Sequence, residues 1–258
     1  MKKSVGVILC ALVGLTFFVC SVATADAFEL GARGYYWFPT FKSDLRVDNG
    51  IVGTEVDAKD TLGVGNEDFP SVEAFAGIGK HHWSIMYTSV DYSGSTTLSQ
   101  TLIFRGRQYT AGTDVATDIE FTMLDLEYQF DILNLENLPA GFSIGAIGKI
   151  KYLDGEAKLN APSLGFDEKE TFQIPLPMVG LGAHVGILAD ILEARAKITG
   201  MSYSGNTIYE GLADVSWTPL PFIDLHGGYK IIKLDVDESG IYLNSEFSGP
   251  YLALTVGF

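Results

Sequence analysis

The sequence predicts an all-β protein, a transmembrane antiparallel up-and-down β-barrel of about ten strands. Two observations carry this prediction. The N-terminus has the pattern of an export signal, and segments of alternating hydrophobicity recur from there to the C-terminus. After the signal no stretch has the apolar length of a membrane helix. A closed barrel is the other backbone arrangement that satisfies all its hydrogen bonds in lipid.

The N-terminal segment predicts export. Lys2 and Lys3 precede an apolar run over 5–22, and two small-x-small sites follow at 23–25 and 25–27. This order of basic, apolar and small residues is typical of a secretory signal peptide. A membrane-anchoring helix is the alternative, since about 18 apolar residues can just span a bilayer. We therefore predict that residues 1–27 form a cleaved signal peptide and that residues 28–258 form one outer-membrane β-barrel.

Composition excludes several function classes. Cys10 and Cys20 both lie in the predicted signal, so the exported chain would have neither a disulfide nor a thiolate site. Signal removal takes Lys+Arg from 17 to 15 and Asp+Glu from 32 to 31, which changes the net charge from −15 to −16. Such a chain will not bind nucleic acid by neutralising phosphates.

Ten alternating segments are predicted as strands, an even number that suits a single-chain barrel with both termini periplasmic. Their spans are 28–39, 70–79, 82–92, 118–132, 140–154, 171–187, 190–203, 206–218, 221–235 and 241–258. Eight or twelve strands stay open, because 96–104 could extend the third strand or form an extra hairpin. Short connections after every second strand predict periplasmic turns, whereas 40–69, 92–117 and 155–170 predict long outer loops.

Aromatic residues cluster near the predicted strand ends, as expected for two interfacial girdles. Trp217, Phe222 and Phe258 lie near periplasmic ends. The outer girdle is predicted at Tyr36, Phe38, Tyr152 and Tyr203.

The last strand, 249–258, alternates and stops on an aromatic residue. Leu252, Leu254, Val256 and Phe258 share one face, and Tyr251 lies on the other. A half-buried strand of a soluble sandwich would show a similar alternation.

That terminal strand resembles the assembly signal of Gram-negative outer-membrane β-barrel proteins, and the resemblance extends over the whole mature chain. It implies recognition by the barrel-assembly machinery, location in the outer membrane, and contact with outer-membrane lipid and lipopolysaccharide. The class includes OmpA-like and OmpX-like stabilising or adhesive barrels, OmpW-like passages for small apolar compounds, and a few enzymes. The fold is common to all of them and does not choose a role.

The inward face of the predicted barrel is strongly charged. The predicted lumen acids are Glu29, Glu73, Asp125, Glu127, Glu193, Glu210, Asp214 and Asp224; the bases are Arg33, Lys149, Lys151, Arg195, Lys197 and Lys230. A narrow bore cannot enclose isolated charges cheaply, so the near balance of signs predicts ion pairs and ordered water. Lys149, Lys151, Arg195 and Lys197 could instead form an anion-selective constriction. We favour the non-conducting network.

The histidines are poorly placed for catalysis. His81 and His82 fall in a predicted periplasmic turn, and His184 and His226 point inward near periplasmic strand ends. Asp224 shares a face with His226. An omptin-like protease site opens outward, so the sequence predicts a non-enzyme with no catalytic residue.

Acidic residues are frequent in two predicted outer loops. They are Asp44, Asp48, Glu55, Asp57, Asp60, Glu67 and Asp68 in the first, and Asp235, Asp237 and Glu238 in the last. Carboxylate oxygens suit divalent cations, although a solvated acidic loop explains the same pattern. We predict divalent cations there as partners, with no metal-ligating residue assigned and no cofactor.

These observations predict a non-enzymatic integral outer-membrane barrel with a structural, surface-interaction or narrow passage role. A channel for small solutes or apolar compounds is one alternative. A barrel hydrolase or lipid A modifying enzyme is the other. A charge ladder bridging acids to bases would favour the first role, and a continuous water path would favour the channel.

Overall fold

A computed structural model of the chain shows a closed barrel of ten antiparallel strands. It describes residues 28–47, 54–104, 106–135, 141–188, 191–203, 206–238 and 241–258. The predicted signal peptide, with Cys10 and Cys20, lies outside the described residues. The ten-stranded prediction is confirmed, and the alternatives of eight and twelve strands are removed.

The strands follow one another around the barrel. In chain order they are β1 (Phe28–Trp37), β2 (Thr40–Val47), β3 (Val56–Asp57), β4 (Phe69–Ile78), β5 (His81–Thr97), β6 (Leu102–Phe104), β7 (Arg107–Tyr109), β8 (Asp114–Asn134), β9 (Phe142–Ala161), β10 (Phe166–Leu188), β11 (Leu192–Tyr203), β12 (Asn206–Leu220), β13 (Ile223–Glu238) and β14 (Ile241–Gly257). Pairing of β1 with β14 closes the barrel, and the β6–β7 hairpin stands apart from it.

β1 and β2 are two halves of one barrel strand. Trp37 pairs with Tyr251 and Thr40 with Ser248, so both halves run along β14. The interruption falls at Pro39, which has no backbone N–H to donate. The prediction of a loop from Thr40 onward was therefore wrong up to Val47.

Four strands form a tall wall on one side of the barrel. β5, β8, β9 and β10 have 17, 21, 20 and 23 residues, well above the roughly 9 to 11 that a membrane strand needs. The predicted loops at 92–117 and 155–170 were accordingly too long, since β9 and β10 continue to a 3-10 turn at Pro162–Leu164. No helix in the described part of the chain is long and apolar enough to cross a membrane.

The outward face carries an apolar band. On β8, Leu126, Tyr128, Phe130 and Ile132 are exposed, while the inward-facing Asp125 and Asp131 are buried. The outward residues beyond Leu124 are polar, beginning with Thr122. This arrangement inverts that of a soluble protein and fits a barrel with lipid outside. The predicted girdle residues Tyr36, Phe38, Tyr203, Trp217, Phe222 and Phe258 all lie exposed on this surface.

Aromatic side chains fill the outer half of the bore; we call Trp37, Phe41, Phe69, Tyr92 and Phe247 the outer aromatic plug. Phe41 stacks on Tyr92 and Phe247, with ring centroids 4.6 and 4.9 Å apart. Phe69 meets Tyr92 edge to face at 5.2 Å. All but Phe247 are at most 5% exposed. Inward-facing aromatics thus occupy the level just outside the charged layer described below.

The described part of the first predicted loop, 54–68, packs over the outer mouth. Val56, Ala58, Leu62 and Val64 are at most 5% exposed. The Ala58 N–H donates to the Ser43 carbonyl at 2.8 Å. Gly63 adopts φ +72°, and a side chain there would meet the Ser95 carbonyl at 2.8 Å. The apolar residues of the segment pack as a cap, while Glu55, Asp60, Glu67 and Asp68 stay exposed to solvent.

Candidate functional site

The most distinctive inward feature is a buried layer of charges midway along the bore, which we call the lumen charge network. It contains the acids Glu73, Asp125, Glu127, Glu210 and Asp214 and the bases Arg33, Lys149, Lys151, Arg195, Lys197 and Lys230. The strands place them there because each has inward parity in a strand whose next residue faces lipid.

Glu210 on β12 is the centre of this network. Its Oε2 lies 3.0 Å from Lys149 Nζ and 3.2 Å from Lys151 Nζ, and its Oε1 lies 3.4 Å from Lys230 Nζ. Lys149 and Lys151 belong to β9, which is separated from β12 by two strands. Their contacts with Glu210 therefore cross the bore and do not merely line its wall.

Asp125 and Glu127 on β8 bind the same lysines from the other side. Lys151 Nζ lies 2.7 Å from Asp125 Oδ1, and Lys149 Nζ lies 2.9 Å from Asp125 Oδ2. Lys197 of β11 reaches Glu127 Oε1 at 2.5 Å, past β9 and β10. These bonds join β8, β9, β11 and β12 through the lumen.

Asp214 is the centre of a second cluster. Arg195 Nη2 donates to its Oδ2 at 2.6 Å, and the Tyr251 hydroxyl donates to the same oxygen. Asp214, Gly228 and Tyr251 are register neighbours on β12, β13 and β14. A side chain at Gly228 would meet Asp214 Cβ at 2.6 Å and Tyr251 Cζ at 2.7 Å. The missing side chain lets the tyrosine reach across β13.

A chain of polar contacts continues from this cluster across the barrel closure. His226 Nδ1 lies 3.5 Å from Asp214 Oδ1, and its Nε2 lies 2.8 Å from Thr255 Oγ1. Arg33 Nε donates to the same hydroxyl at 2.6 Å, and its Nη1 donates to Glu73 Oε2 at 2.9 Å. The network thus bridges the first and last strands, which must meet to close the barrel.

Three predicted lumen acids lie apart from the network, near the periplasmic end. Glu193 pairs with His184 at 3.1 Å. Asp224 accepts a hydrogen bond from Thr218 at 2.6 Å. Glu29 lies 3.5 Å from His82. The sequence grouped these three acids with the network because they face inward. They lie closer to the periplasmic ends of their strands and so do not reach it.

The sequence interpretation missed Asp131, one of the most buried carboxylates. It is 1% exposed and accepts from Gln129 at 2.8 Å and pairs with His82 at 3.1 Å. Asp131 is an even number of residues from Asp125 on the same strand, and this spacing could have predicted that Asp131 faces inward.

All four histidines are described, and all lie in the periplasmic half. His81 faces outward, where it stacks on Trp83 at 5.9 Å and hydrogen bonds the Tyr128 hydroxyl at 2.8 Å. His82 and His184 sit at the rim, and His226 is the link to Thr255. Their carboxylate partners are periplasmic or deep in the lumen.

The acidic outer loops show no metal centre where they are described. Among the described residues, no group of three or more His, Asp or Glu side chains is placed to hold a metal ion. Asp57 instead accepts the Asp60 N–H at 2.6 Å. Asp48 and the side chains of Asp237 and Glu238 lie outside what the structure describes.

No family model matches the chain, and the comparison with curated proteins gives no match. Among solved structures, the chain is similar to the outer membrane protease OmpT from Escherichia coli, with a TM-score of 0.58, 10% identity, and coverage of 93% of this chain and 99% of that one. It is also similar to the translocator domain of the autotransporter NalP from Neisseria meningitidis, with a TM-score of 0.45, 11% identity, and coverage of 98% and 95%. At 10% identity the likeness to OmpT shows the fold alone.

Proposed function

The chain is a β-barrel of the Gram-negative outer membrane, and we propose that it serves there as a closed, non-enzymatic scaffold whose extracellular wall and cap are its interaction surface. The observation that carries the proposal is the set of ion pairs that cross the bore, with Glu210 at its centre. A channel would need a continuous water path between these ion pairs.

The crossing contacts support closure. Lys149, Lys151 and Glu210 are at most 7% exposed, so their charged groups face one another and not a water column. Removing one partner of a buried ion pair costs about 3 to 5 kcal/mol. Conduction requires sites that bind an ion weakly enough to release it, whereas these charges are already neutralised by the opposite wall.

The outer aromatic plug supports closure at a second level. Phe121 of β8 meets Phe247 of β14 at 6.3 Å. Lys230 Nζ lies 5.1 Å from the centroid of the Trp37 ring and joins the plug to the charged layer. A solute would have to displace both layers, and the cap lies over them.

The non-enzymatic part of the proposal rests on the histidines. Each is engaged at the periplasmic rim, in the outward girdle or in the network.

The proposed partners follow from three surfaces of the barrel. Outer-membrane lipid and lipopolysaccharide surround the apolar band, and the assembly machinery recognises the last strand. Divalent cations bind at the acidic outer surface. The tall wall of β5, β8, β9 and β10 carries the polar outer surface that we propose as the interaction surface.

Single-channel conductance of the refolded mature protein in a planar bilayer tests the proposal. Folding is first verified by circular dichroism and by heat-modifiable gel mobility, and an open porin serves as the positive control. We expect no unitary steps. Reproducible steps whose amplitude falls in Lys149→Gln would overturn the scaffold and favour the solute channel. Hydrolysis of a fluorogenic peptide or of lipid A by the folded protein would overturn the non-enzymatic part.

A further inference from the structure

The outer half of β10 has a neighbouring strand on one side only. On the β9 side, pairing is continuous from Phe166 to Val185. On the other side, the described pairing with β11 starts at Val179 opposite Gly200, and β11 ends at Tyr203. Within the described chain, residues 171–178 have no paired strand on the β11 side and form a free β-edge outside the apolar band.

The direction of the backbone groups along this edge follows from one hydrogen bond. The Gly186 N–H donates to the Gly141 carbonyl at 2.7 Å, on the β9 side. Backbone groups alternate sides along a strand, and the β9 register is unbroken, so even-numbered residues bond β9. Thr171 and Gln173 consequently direct their N–H and C=O groups toward the edge.

The two prolines of β10 agree with this assignment. Pro175 and Pro177 have the same odd parity, and proline is tolerated where its missing N–H would face an open edge. They block strand addition next to the membrane, where a paired edge would cause aggregation. Farther out, Thr171 and Gln173 keep their donors, so the edge is open where it projects from the membrane.

The inward side of the edge is apolar from Phe172 to Met178, whereas Glu168 and Glu170 share this parity farther out. Phe172 is half-buried against Phe121, with ring centroids 6.2 Å apart. Ile174 has inward parity and yet is 37% exposed, because β11 stops short of it. An added strand would cover Ile174 and Phe172 with every second side chain.

The outward side is acidic. A groove of about 680 Å³ runs across β5, β8, β9 and β10 beside the edge and contains the carboxylates Asp91, Glu120, Asp154 and Glu156. Asp154 and Glu156 are the register neighbours of Gln173 and Thr171. Lys158 Nζ and Lys169 Nζ each lie 2.5 Å from a Glu156 oxygen, so the net negative charge of the groove rests on Asp91, Glu120 and Asp154. A lysine or arginine on an added strand could reach these carboxylates over the short Thr171 side chain.

We propose that the β10 edge binds an extended polypeptide whose residues alternate between apolar and basic, adding it to the barrel wall as an extra strand. Backbone hydrogen bonds to Thr171 and Gln173 hold the strand, apolar side chains cover Ile174, and basic side chains enter the acidic groove. A second copy of this chain is disfavoured, because it would bring two acidic grooves together on a chain of net charge −15. The inference deepens the proposed scaffold role and rests on it.

Fluorescence anisotropy with the refolded full barrel in lipid nanodiscs tests the inference. The probe is a labelled nonapeptide of alternating lysine and valine. Two N-methylated series of this peptide are compared. In one series the methyl groups replace the N–H groups that would face β10, and in the other they replace the N–H groups that would face solvent. We expect one methylated series to bind about tenfold more weakly and the other to bind like the parent, since tenfold corresponds to about 1.4 kcal/mol, or one to three lost hydrogen bonds.

Protein variants give a second readout. Thr171→Pro should weaken binding about fivefold to tenfold by removing an edge donor, in a strand that already tolerates edge prolines. Asp154→Asn should weaken binding of the basic peptide, while Asp235→Asn, on the outward face of β13, should leave affinity unchanged. A matched glutamate–valine peptide should not bind.

Several results would overturn the inference. Equal binding of both methylated series, or full affinity in Thr171→Pro, would mean that charge alone holds the peptide. Absence of peptide binding would rule out an extended basic polypeptide as the partner of the edge. Disulfide crosslinks between the β10 strands of two Thr171→Cys barrels would also rule it out. A silent bilayer with no peptide binding removes only this inference, whereas a conducting barrel that binds the peptide removes only the closed scaffold.

Discussion

Lys149 Nζ and Glu210 Oε2 lie 3.0 Å apart although their strands, β9 and β12, are not neighbours. Lys149 pairs in register with Glu127, yet its ammonium lies 3.9 Å from that carboxylate and closer to Glu210. The side chain therefore extends into the bore. The contact therefore spans the bore, which is the geometry that the proposed closed scaffold requires.

Glu210→Gln should destabilise the barrel by about 3 to 5 kcal/mol, because it leaves buried lysines that shared one carboxylate. Glu246→Gln is the matched control. Glu246 lies on the outer face, 4.0 Å from Lys233, where a pair contributes about 0 to 1 kcal/mol. Urea unfolding in lipid vesicles measures both. Equal effects of the two substitutions would contradict a stabilising network.

Gly228→Ala should cost about 1 to 3 kcal/mol, since the added methyl group overlaps Asp214 and the Tyr251 ring. The adjacent Gly227 faces lipid and has nothing within 4 Å of an added Cβ. Gly227→Ala should therefore be neutral or slightly stabilising. The same unfolding assay compares the pair, and an unaffected Gly228→Ala would mean that Tyr251 does not need the space over β13.

Leu126→Arg and Thr122→Arg should separate the apolar band from the polar wall. Both positions face outward on β8, four residues apart, and Leu126 is 47% exposed. An arginine near the bilayer centre costs about 2 to 4 kcal/mol, and near the interface about 0 to 1. Unfolding in vesicles measures the two costs. Similar values would mean that the band does not lie at this height.

Phe258→Ala should affect assembly more than stability. The Phe258 side chain is 66% exposed, while its backbone closes the barrel through reciprocal hydrogen bonds with Leu30 of 2.8 and 2.9 Å. The substitution keeps those bonds, so refolding in detergent should be nearly unchanged. The amount of heat-modifiable protein in the outer membrane of expressing cells should fall. An unchanged amount there would contradict an assembly signal on this strand.

Alternation and parity alone determined much of this protein. The period of two along 122–132 and 142–152 gave the barrel fold and the inward direction of Asp125 and Lys149, because successive side chains of a strand must face opposite sides. The number of alternating segments gave ten strands, with eight and twelve left open. The same parity applies to Asp131, whose burial followed from a rule already in use.

Tertiary structure decided which inward charges meet. Glu193 and Glu210 have the same inward direction, yet Glu193 pairs with His184 at the rim and Glu210 with Lys149 across the bore. Sequence records the side of a strand that a residue faces. The stagger between strands sets the height at which it meets residues distant in the chain. The length of β10 beyond β11, and with it the free edge, is likewise a property of the assembled sheet.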